Sequence, residues 1–265
     1  MGMEGLGIAT TIALGVSQVA YLGAMLTLGV RLALLARRTR GLPEALLAGH
    51  FLLSCTLGYI LQSSGHALAM EPNASHAAVA TMLAIGHGAS VLGVGSVLVF
   101  DYYVFRRGTL LGRALLGSGA ALLLVGYAGY GASGGFWNGR PAGFWFWLLY
   151  SGFTAVAVWT LVEPLLYYAA LRKRMRLGLA DPLVVDRLLL WGVGSLARFA
   201  MLAIGAFSML RLAGDASDFA AIAAPTFLAS GIAGLIVAIC YGLAFFPPRA
   251  YRQAILRRAL KFAGS

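Results

Sequence analysis

The chain has 265 residues, of which 60% are hydrophobic and 11% charged. A soluble domain carries about 25% charge and about 45–50% apolar residues even with glycine counted, and here 35 glycines add to the hydrophobic share. The composition excludes an ordinary globular enzyme, and it excludes disorder, which needs low hydrophobicity. The net charge of +11 would point to nucleic acid in a polar chain. In a chain this apolar it is a question of which loops hold the arginines, and no nucleic-acid partner is expected.

A helix needs about 20 mostly apolar residues to cross a hydrocarbon core ~30 Å thick. Seven stretches qualify: 7–36, 43–70, 76–105, 109–132, 141–171, 182–211 and 218–246. The first follows Met1-Gly2-Met3-Glu4, which has no basic n-region, so it is expected as a retained span. All seven are long continuous runs, unlike the short alternating strands of a barrel. Pro43 and Pro141 stand where first helical residues would be. Asp181-Pro182 reads as an N-cap followed by proline at the first position, and Pro247-Pro248 stops the last span. The expected class is all-α, a polytopic seven-transmembrane-helix bundle over 1–248. The basic tail, 249–265, is expected as a short interfacial helix on the inner leaflet, where Tyr251, Ala254, Ile255, Ala259 and Phe262 share one side. The connections are short, so successive helices should be antiparallel neighbours.

Charge sets the expected orientation. Arg37, Arg38, Arg40, Arg106, Arg107, Arg113, Arg172, Lys173, Arg174, Arg176 and the arginines of the tail follow odd-numbered spans. The other side has only Arg140 and Arg211. The amino terminus is therefore expected outside and the carboxyl terminus in the cytoplasm of a bacterial inner membrane. The aromatic runs Phe136-Trp137 and Phe144-Trp145-Phe146-Trp147 then fall at the outer interface. Asp101, near Arg106-Arg107, is expected as a solvated or loop-paired carboxylate at the inner one.

Helices in lipid approach each other through small residues. Gly86, Ala89, Gly93 and Ser96 line one face of the third span, and Gly112, Gly119 and Gly126 recur every seven residues on the fourth. Close packing is the expected role.

Charged groups inside spans usually face the bundle interior or a cavity. Arg198 lies near the middle of the sixth span and Glu163 in the inner half of the fifth, about 10 Å apart along the membrane normal at ~1.5 Å per residue. They are expected either to pair or to bind a ligand, with Arg198 holding an anionic group such as a lipid or fatty-acid carboxylate. Pro164 and Pro225 would supply irregular backbone for two helix arrangements.

The histidines are expected mainly as neutral, hydrogen-bonded packing groups. A bis-histidine haem needs two at one depth. From the shared outer loop His66 lies about 6 Å down, His87 about 16 Å and His50 about 30 Å, so no core pair is level. His87 remains a candidate ligand-lining residue, or a single axial ligand of a haem or chlorin, though neither cofactor is favoured. His66, His76 and Glu71 are weak candidates for a shared metal. Cys55 and Cys240 sit in apolar spans and match neither a disulfide framework nor a zinc motif. A retinal Schiff base is excluded, because Lys173 and Lys261, the only lysines, are at the cytoplasmic side. No cofactor is predicted, and no catalytic constellation supports an enzyme.

Two inner-side stretches resemble known sequences. Leu177-Gly178-Leu179-Ala180-Asp181-Pro182, continuing to Asp186-Arg187-Leu188-Leu189-Leu190-Trp191, resembles a segment of poorly characterised seven-helix bacterial membrane proteins. Phe245-Phe246-Pro247-Pro248-Arg249-Ala250-Tyr251-Arg252 is similar to the exit from the last helix in membrane sensor regions of bacterial signalling proteins. The resemblance spans about thirty residues and implies a seven-helix fold and a sensing role. No output domain follows in these 265 residues, so signalling would need a cytoplasmic or membrane protein partner. The expected function is a receptor-like sensor of a small apolar or amphipathic ligand. The alternatives are a haem or pigment protein and a small-molecule transporter.

Overall fold

Apolar runs of this length satisfy their amides internally as helices, because lipid offers no hydrogen-bond partners. The structure, a computed structural model, describes residues 8–69, 71–138, 143–214 and 219–263. In chain order these form α1 (Ile8–Thr39), α2 (Leu42–Gly49), a π-helical segment (His50–Gly58), α3 (Tyr59–Leu68), α4 (His76–Phe105), α5 (Leu110–Ala132), α6 (Gly135–Asn138), α7 (Gly143–Met175), α8 (Pro182–Gly214), α9 (Phe219–Phe245) and α10 (Arg249–Ala263). Among the described residues seven helices are long and apolar enough to cross a membrane, α2, the π segment and α3 together making the second of them. Among the described residues there is no strand. The expected spans and the tail helix are all present. The short α6 and the π segment were not anticipated.

Local chemistry explains the ends. Gly41 caps α2, with Pro43 inside its first turn. Asp181 accepts from the Leu183 amide at 2.8 Å, the N-cap expected before Pro182, and α9 ends at Phe245, just before Pro247-Pro248. Thr109 caps α5, accepting from the Gly112 amide at 3.0 Å. Pro141 and Arg140 lie outside the described residues. Pro164 and Pro225 fall within α7 and α9, and both helices continue through them.

The chain divides into two compact units, one of residues 25–156 and one of residues 1–24 with 157–265. In the first, α4 is the most enclosed span and packs on the second span and on α5. Its small-residue face makes this approach possible. A Cβ at Gly93 would lie 2.5 Å from the Ser54 amide nitrogen, and one at Gly86 would lie 2.9 Å from that of Gln62. The heptad glycines of α5 serve three different neighbours: Gly112 abuts Arg106, Gly119 abuts Leu98, and Gly126 abuts the backbone of Leu149. In the second unit α8 and α9 pack along each other. Gly194 accommodates the Tyr241 ring, and Gly192 accommodates Leu165 of α7. The hydroxyls of Ser195 and Tyr241 join the two helices at 3.0 Å, and α10 rests on α8.

Candidate functional site

The first unit holds a buried polar seam where the π segment meets α4. A π turn bonds residue i to i+5; such turns are rare and are frequently found at functional sites. Here the Thr56 hydroxyl donates to the Phe51 carbonyl, five residues back, at 2.9 Å. His50 is 2% exposed, and its Nδ1 lies 3.0 Å from the Gly93 carbonyl. A carbonyl only accepts, so Nδ1 is the donor of this contact. Cys55 Sγ lies 3.5 Å from Nε2 of the same ring. Further along the second span, Gln62 Nε2 donates to the Gly86 carbonyl at 3.2 Å and to Ser90 Oγ at 2.7 Å.

Residues five apart diverge by about 140° on an ordinary α-helix at 3.6 residues per turn. His50 and Cys55 therefore looked unrelated in sequence, and only the wider π turn brings them together. Gln62 and Ser90 were also missed. The signal that could have found them is the glycine next to each contact, since Gly86 is where the Gln62 side chain lands.

His87 is 5% exposed, with Nδ1 2.9 Å from the Leu83 carbonyl of its own helix. The rings of Tyr130 and Phe136 stand 5.7 and 5.8 Å from it, so aromatic side chains occupy the space beside the imidazole. His66 is half-buried, while His76 and Glu71 are exposed. Among the described residues no three His, Cys, Asp or Glu side chains form a group able to hold a metal, so these three are not assembled into a site.

The second unit carries the two charged candidates. Arg198 stands sixteen residues from each end of α8. It is only partly buried and is engaged with other groups. Its place in the span therefore does not by itself call for a foreign anion. Glu163 is 3% exposed and accepts from Trp159 Nε1, one turn earlier on α7, at 3.2 Å. The following Pro164 is fully buried. Pro225 is exposed on α9.

Of the two expectations for Asp101, solvated or loop-paired, the structure overturns the solvated one. It is 0% exposed, because α4 is enclosed near its carboxyl-terminal end as well as in its middle.

These elements define an all-α membrane protein with seven long apolar helices. Compared with known proteins, the chain matches no family model, no curated protein and no solved structure.

Proposed function

We propose that the protein is a receptor-like sensor of the bacterial inner membrane, amino terminus outside and carboxyl terminus in the cytoplasm. It binds a small amphipathic ligand through Arg198. The observation that supports this reading is a charged side chain midway along α8 that is only partly buried although other groups of the protein engage it. A charge at the centre of a span costs about 2.5–3.5 kcal/mol on insertion scales. A guanidinium fork is best answered there by a carboxylate or phosphate in two parallel hydrogen bonds. A fatty-acid-like amphiphile brings that group on an apolar chain suited to the surrounding lipid. The orientation is supported by Arg37-Arg38 in the last turn of α1 and Arg172-Lys173-Arg174 in the last turn of α7. Glu163, which accepts from Trp159, is a buried acidic group of the same unit. His87 contributes packing, because Tyr130 and Phe136 flank it.

Native mass spectrometry of protein extracted in mild detergent tests the reading. Wild type is expected to carry an anionic amphiphile, Arg198→Gln to lose it, and Arg198→Lys to retain part. Equal retention by wild type and Arg198→Gln would overturn the proposal. So would a wild type that carries nothing and gains no mass on adding palmitate.

A further inference from the structure

The second unit has a cavity at the end where α8 begins and α9 stops. After Pro247-Pro248 the chain turns into α10, which folds back onto α8. There the Tyr251 hydroxyl donates to Asp186 Oδ2 at 2.9 Å. The space under this latch measures about 250 Å³. Arg187, Arg252, Phe245, Pro247 and Ile255 are among the residues that line it. Both arginines are exposed and so open to a ligand. Asp186 is the acidic lining residue, its Oδ2 is taken by Tyr251, and Arg258 acts on its charge. The balance at the mouth is therefore positive.

We propose that this cavity binds the phosphate of an anionic phospholipid headgroup. Two guanidinium groups are suited to one phosphate, each offering paired donors. The apolar residues of the lining, Phe245, Pro247 and Ile255, offer contact to the glycerol and first methylenes of a lipid. Size agrees: small-molecule sites run about 300–1,000 Å³, so this volume holds a headgroup while the acyl chains stay in the bilayer. Depth agrees too, since Pro182 and Pro247 mark the helix ends, where lipid phosphates lie. Basic residues next to a span draw anionic lipid in general. The cavity goes further by assigning one lipid to Arg187 and Arg252. This site is separate from Arg198, and its failure would leave the Arg198 reading untouched.

The test is a native mass spectrometry titration of the full chain in detergent with phosphatidylglycerol, phosphatidylcholine or soluble glycerol 3-phosphate. Arg187→Gln/Arg252→Gln is compared with Arg249→Gln/Arg257→Gln, which removes the same charge from α10 outside the cavity. Phosphatidylglycerol is expected to bind wild type and the control pair alike, and the cavity pair at least about fivefold more weakly. Equal weakening in both pairs would reduce the effect to diffuse charge and overturn the proposal. Equal binding of phosphatidylcholine would also overturn it, as would glycerol 3-phosphate competing at the lipid's own concentrations. Should the cavity pair fail to fold, Arg252→Gln alone, an exposed position on α10, is expected to show a smaller loss in the same direction.

Discussion

The close approach of α4 to the π segment makes Gly93→Ala the most informative substitution. A methyl at Gly93 would lie 2.5 Å from the Ser54 nitrogen, 2.6 Å from its Cβ and 3.0 Å from its Cα. Carbon contacts are optimal at about 3.5–4.0 Å, so the overlap approaches 1 Å against backbone that cannot swing aside. Overpacking costs about 1–3 kcal/mol, and a backbone obstacle belongs at the upper end. Alanine regains about 1 kcal/mol of helix propensity over glycine. The net is a destabilisation of about 2 kcal/mol. At about 2–4 °C per kcal/mol for a chain of roughly this size, the melting temperature should fall by about 4–8 °C. Gly95, two residues along the same helix, is the control, because a Cβ there meets nothing within 4 Å. Thermal unfolding in one detergent, followed by size-exclusion of the surviving fraction, reads both variants. Gly93→Ala melting at or above Gly95→Ala would refute the close approach, and the shared seam of His50 and Gly93 with it.

The hydrogen bond from Gln62 to Ser90 at 2.7 Å predicts energetic coupling. A double-mutant cycle of Gln62→Leu and Ser90→Ala should show about 0.5–3 kcal/mol of interaction, and additive melting shifts would count against it. The latch on α10 predicts an unusual titration. Burial first, and then the hydrogen bond to Asp186, push the Tyr251 phenol from 10.0 up to about 12. The folded state thus holds the proton more tightly than the unfolded one, so the contribution of this group is whole below pH 10 and is lost as pH rises through about 12. The tyrosinate absorbance of wild type minus Tyr251→Phe should titrate near 12, and a difference curve centred at 10 would contradict the latch.

Much of the architecture was legible in the residues because the bilayer imposes a length and a polarity that composition records directly. The seven spans, the Asp181 cap, the stop at Pro247-Pro248 and the helical tail follow from local rules, each needing only a few neighbouring residues. The glycine face of α4 was legible as a place of close packing, though the sequence did not name the partner. What stood beyond reach depended on contacts between segments distant in the chain. The π segment arises where the second span fits against α4, and nothing in His50–Gly58 taken alone distinguishes it from an α-helix. Asp101 read as solvated or loop-paired because burial is a property of the helices around it. The cavity under α10 required Tyr251 and Asp186, 65 residues apart, to meet. Sequence alone determined that this chain forms seven apolar helices, since backbone satisfaction and hydrophobic length are local quantities. Only the tertiary structure decided which polar groups those helices enclose, because enclosure depends on neighbours that no single segment contains.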